Sequence, residues 1–69
     1  MNQLETNISH AIKAAKRDGI TSLSLANLKQ VTPTRGLRIS VSEYHLTFDE
    51  VAIQVANRLR FPIIKGGET

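Results

Sequence analysis

Residues 32–46 read TPTRGLRISVSEYHL. From Gly36 onward the chain alternates: Leu37, Ile39 and Val41 fall on one side, and Arg38, Ser40 and Ser42 on the other. Successive side chains of an extended chain point to opposite faces, so this period predicts a half-buried strand. Tyr44 and Leu46 are out of phase with the triad. The strand reading accommodates them by a bulge near Glu43 or by cover on the other face. Upstream, TPTRG reads as a hairpin connection in which Pro33 fixes φ and Gly36 supplies a positive φ. The strand before it is expected over roughly Thr21 to Leu28, where Leu23 and Leu25 alternate with serines. Leu25, Leu28 and Val31 also fit helical spacing, and both readings stand at that point.

Helices flank this centre. Leu4, Ile8, Ala11, Ile12 and Ala15 recur at spacings of three and four, one stripe of a helix expected from about Leu4 to Asp18. Lys16 and Arg17 suit the negative end of that helix, and Gly19 can take the left-handed cap conformation. The second helix is expected to start at Thr47, because Thr47 and Glu50 form a capping box with Leu46 and Val51 as its hydrophobic staple. Phe48, Val51, Ala52, Val55, Ala56 and Leu59 make its buried stripe. Pro62 disfavours helical geometry at Phe61, which ends the helix near Arg60. Beyond it, FPII continues as an extended apolar segment, an edge strand or a clamp on the core.

The order helix, strand, strand, helix predicts an α+β domain over residues 1–64. Two helices pack on one face of a small antiparallel hairpin, which dimerisation or a C-terminal edge strand extends, and residues 65–69 form a flexible tail. In bare outline the order is similar to that of double-stranded-RNA-binding domains. Those carry a third strand and a lysine-rich start to the last helix, whereas TFDEVA is acidic, and no family is assigned from these residues.

Composition bounds what such a domain can be. At 69 residues there is room for one domain, which buries only ~60% of its unfolded surface. The chain has no cysteine, which excludes disulfides and thiolate metal sites and fits a reducing compartment. Self-association is then a ready way to complete the core. The net charge of +3 permits nucleic acid or an acidic protein as partner without selecting either. No apolar run approaches the ~20 residues needed to span a bilayer, and MNQLETNISH lacks the pattern of a signal peptide. A cytoplasmic location without membrane contact is expected.

The candidate sites are sparse. Arg35 at the hairpin tip, Arg38 on the adjoining strand and Lys29 on the preceding one are expected to form a basic patch that forks onto phosphate or carboxylate. Lys13, Lys16 and Arg17 make a second basic cluster on the first helix, with no aromatic residue beside them to stack a base. Ile53 lies well away from Val51 and Val55 on the helical wheel and widens the apolar stripe together with Ala56. Ile53, Ala56, Phe61 and Ile63 are therefore expected to meet a second subunit or the FPII segment, and burying Ile53 alone contributes about 1.5–3 kcal/mol. His10 and His45 have no metal-ligand spacing, no serine sits in a nucleophile elbow, and no glycine loop could cradle a phosphate. No metal, cofactor or catalytic residue is expected. The reading is a non-enzymatic protein–protein interaction module, a homodimer acting as an accessory or regulatory factor. Nucleic-acid binding through the basic patch is the alternative.

Overall fold

A computed structural model of the chain describes residues 3–34 and 36–64, and for Val41 the backbone alone. The first helix, α1, runs Gln3–Arg17 and buries Leu4, Ile8, Ala11, Ile12 and Ala15, the same five positions that the periodicity selects. It ends in a Schellman motif: the Ile20 N–H donates to the Ala15 carbonyl at 3.0 Å and that of Gly19 to Lys16 at 3.1 Å. Gly19 takes a φ of 87° there, a value that favours glycine.

The centre of the chain differs from the hairpin reading. Only Leu23–Ser24 is strand (β1), and a short helix α2 follows at Leu25–Val31. Ser24 is its N-cap, with the hydroxyl accepting from the Asn27 N–H at 3.1 Å. Helical spacing thus prevails over alternation: Leu28 is fully buried while Leu23 and Leu25 are only half-buried. Thr32 closes α2 by donating both its hydroxyl and its N–H to the Leu28 carbonyl, at 2.6 and 3.0 Å. Pro33 then keeps Thr32 extended, at φ −85° and ψ 122°.

Residues 37–40 have no ladder partner among the described residues, and Val41 is already the first residue of α3, which runs Val41–Leu59. The predicted strand over 37–41 is therefore absent, and with it the hairpin. Its alternation is nevertheless kept in burial: Leu37 and Ile39 are half-buried, Arg38 and Ser40 exposed, and Leu37 packs on the core. Pro33 and Gly36 serve a turn between helices instead. The Leu37 N–H donates to the Thr34 carbonyl at 3.1 Å, Gly36 has φ 89°, and the Pro33 carbonyl accepts from Asn7 Nδ2 of α1 at 2.7 Å.

α3 begins seven residues before the Thr47 capping box, at a second signal of the same type, Ser40–Val41–Ser42–Glu43. The Ser40 hydroxyl accepts from the Glu43 N–H at 3.3 Å. The earlier start brings Tyr44 into line with Phe48 one turn on, their rings 5.5 Å apart. Tyr44 falls out of strand phase because it belongs to the helix.

FPII supplies the second strand, β2 at Ile63–Ile64, as an edge strand. It pairs with β1 in parallel, Leu23 opposite Ile63 and Ser24 opposite Ile64, where the sequence reading has an antiparallel pair. Two helices intervene between the strands, the crossover that a parallel pair requires. The fold is thus three helices with a small parallel sheet. Ile8, Ile12, Leu28, Phe48 and Val55 fill its centre. α1 crosses α3 near the latter's last turn, which both of its ends reach. Arg58 Nη2 donates to Glu5 Oε2 at 2.9 Å, and Lys16 Nζ to the Leu59 carbonyl at 3.2 Å. The tail expected over 65–69 lies outside the described residues. No helix among the described residues is long and apolar enough to cross a membrane.

Candidate interaction surface

The residues singled out by the odd position of Ile53 come together. Ile53, Ala56, Phe61 and Ile63, with Asn57 and Pro62, line one open groove of about 280 Å³ between α3 and the segment leading into β2. Of these, Ala56 and Phe61 are buried, and Ile53 and Ile63 are half-buried. The groove exists because α3 stops abruptly. Phe61 donates its N–H to the Ala56 carbonyl at 2.8 Å and Arg60 to Asn57 at 3.2 Å, a second Schellman motif that turns the chain back across its own helix. Arg60 occupies the position usually held by glycine, at φ 57° and ψ 45°.

A second hollow of about 270 Å³ opens on the other side of Phe61 and Pro62, and Lys16, Gly19, Ile20, Thr21 and Arg60 complete its lining. Lys16, from the α1 basic cluster, thereby meets Arg60, a pairing that the sequence reading does not contain. Lys13 and Arg17 stay exposed on α1 and form no ion pair with the described residues.

The strand pairing expected to bring Lys29 and Arg38 together is absent: β1 is only Leu23–Ser24, Lys29 lies on α2, and residues 37–40 have no ladder partner among the described residues. Arg35 lies outside the described residues. Arg38 is exposed on the connection between α2 and α3. Lys29 is engaged inside the fold. Its Nζ lies 2.8 Å from His45 Nδ1, 3.8 Å from Asp49 Oδ1 and 5.5 Å from the centre of the Phe48 ring. Sequence reasoning missed this cluster, since His45 was assigned to a strand and the i, i+4 relation of His45 to Asp49 becomes visible only once α3 starts at Val41. Beside it the Tyr44 hydroxyl is buried without a hydrogen-bond partner, and burial pushes its pKa above the usual tyrosine value. No group of three or more His, Cys, Asp or Glu side chains that could hold a metal occurs among the described residues.

No protein-family model matches the chain, and no curated protein or solved structure shows significant similarity to it.

Proposed function

We propose that the chain is a non-enzymatic protein–protein interaction module that pairs with a second copy of itself through the groove at Ile53, serving as an accessory or regulatory factor. The observation that carries this reading is the convergence of Ile53, Ala56, Phe61 and Ile63 on one open groove, to which Asn57 adds a polar side chain. A domain of this size has little core to spare, so covering such a surface is a substantial gain. β2 has no second ladder partner among the described residues, and Ile64 is 51% exposed on the face opposite Ile63. Sedimentation equilibrium tests the reading. Wild type should be dimeric and Ile53→Glu monomeric with an unchanged far-ultraviolet circular dichroism spectrum. A wild type that stays monomeric across the concentration series removes it.

A second reading is nucleic-acid binding. Its support is the placement of Arg60 beside Lys16 in one hollow, next to Lys13 and Arg17 on the exposed side of α1. Binding of this kind weakens steeply as salt rises, because displaced counterions return. An absence of DNA or RNA binding at low salt eliminates it.

A further inference from the structure

The hollow that Lys16 and Arg60 share lies where two helices end. Lys16, residues 19–21 that follow α1 and residues 60–62 that follow α3 line it. Each helix end carries a partial charge of about −0.5. Lys16 Nζ bridges the two ends by donating to the Leu59 carbonyl at 3.2 Å. Backbone N–H groups take the carbonyls of Ala15, Lys16, Ala56 and Asn57. Arg60 is therefore not needed to close either helix, and it forms no ion pair with the described residues. No acidic residue lines the hollow, and Asp18, the nearest in sequence, is exposed and adjoins Arg17 of opposite charge. Lys16 and Arg60 set against the two helix ends leave a surplus of about one positive charge.

Beside that charge the lining is apolar. Phe61 is buried, and Ile20 is 42% exposed. Ile20 follows Gly19 in the Schellman motif, at a position whose side chain ordinarily packs back onto the helix. There the helix offers only Ala14 and Ala15, so Ile20 stays partly uncovered. At about 270 Å³ the hollow is smaller than the ~300–1,000 Å³ sites of drug-sized ligands and suits a single side chain.

We infer that this hollow receives a short segment of a different protein, an apolar side chain set against Ile20 and Pro62 and a neighbouring carboxylate set on Arg60 and Lys16. One carboxylate matches the one surplus charge, and a guanidinium can hold both of its oxygens through parallel N–H bonds. A nucleic-acid strand fits less well. It brings a charge with every phosphate, and Phe61, the aromatic residue of the lining, is buried and offers no face to stack a base. The hollow shares only Phe61 and Pro62 with the Ile53 groove, so the inference goes beyond the self-pairing reading and does not depend on it.

A heteronuclear NMR titration with the acetylated, amidated peptide Gly-Ser-Leu-Glu-Gly tests it. The amides of Gly19, Ile20, Thr21, Arg60 and Phe61 should shift, with a Kd on the order of 1 mM for so small a contact. Replacing Glu by Gln or Leu by Ala in the peptide should weaken binding about fivefold, as should Arg60→Gln in the protein. The amide spectrum of that variant shows at once whether it is folded. Ile53→Glu should bind the peptide as wild type does, which separates this site from self-pairing. Absence of shifts at about ten times the expected Kd, or equal binding of the Gln peptide, overturns the inference. So does hexathymidylate shifting the same amides at lower concentration than the peptide, which would assign the hollow to nucleic acid. Shifts of those amides on diluting the protein alone would place a second copy there and overturn it too.

Discussion

Lys29 Nζ lies 2.8 Å from Nδ1 of His45 and fastens α2 to the first half of α3. An ammonium can only donate, so Nδ1 accepts and the imidazole proton sits on Nε2. The same ammonium is 3.8 Å from Asp49 Oδ1 and lies over the Phe48 ring, so one cation serves three partners on one face of α3. The Asp49 side chain is 49% exposed, yet the Oδ1 that faces Lys29 is buried without a hydrogen-bond partner, and at 3.8 Å the pair is too long to be a hydrogen bond. The hydrogen bond and the ring contact carry most of the effect. Lys29→Met keeps the apolar stem and removes the charge. It should cost about 1 kcal/mol, a loss of roughly 4–8 °C in Tm for a domain of this size. A double-mutant cycle with His45→Ala should show positive coupling. Additive effects would mean that the two side chains do not meet in solution.

Tyr44 offers a direct optical readout, because the chain holds one tyrosine and no tryptophan. Burial raises its pKa, so the folded state holds the phenolic proton more tightly than the unfolded state. The stability linked to it is therefore fully present below the unfolded value near 10 and is lost as pH rises through the higher folded value. Absorbance titration of the folded protein should give a midpoint above that of the urea-unfolded chain. Tyr44→Phe keeps the ring against Phe48 and removes a buried hydroxyl without a partner. It should leave stability equal or raise it by up to about 1 kcal/mol, and it should flatten the alkaline decline. A clear loss of stability would show that the hydroxyl has a partner in solution.

The ends of the chain were legible and its centre was not, for a physical reason. α1 repeats its apolar spacing over four turns, which no strand can imitate, and all five core positions follow. Residues 37–43 carry β-branched alternation and a serine cap at once, and so short a stretch fits either period. The decision lies in the next turn, where Tyr44 is in phase with Phe48, Val51, Val55 and Leu59 and out of phase with Ile39. Two capping signals compete, Ser40 with Glu43 and Thr47 with Glu50, and the first wins because it brings Tyr44 onto the core stripe. Ser40→Ala should therefore cost about 1 kcal/mol. Thr47→Ala, inside the helix, should change stability by less than about 0.5 kcal/mol, since alanine is the better helix former. Urea unfolding of both variants decides, and the reverse order would restore a helix start at Thr47.

The interaction surface was legible in part. Ile53 stands off the main stripe, a feature of sequence alone, and the groove gathers around it. The expected Lys29, Arg35 and Arg38 patch depended on strand neighbours, and that strand pairing is absent among the described residues, while Arg35 lies outside them. The sequence places Arg60 at the end of the helix, ahead of Pro62. Its left-handed backbone was not legible, because glycine is the residue that ordinarily signals that position.

Arg60 thus combines a backbone that suits glycine with a charge beside Lys16 in the second hollow. A non-glycine residue in this conformation costs about 1 kcal/mol, partly offset by the extra freedom glycine has when unfolded. Arg60→Gly should raise the unfolding midpoint modestly at dilutions where the chain is monomeric. Arg60→Ala should not, since alanine keeps the strain while losing the same side chain. Thermal unfolding of both variants at low concentration decides. Equal midpoints for the glycine and alanine variants would contradict the left-handed cap.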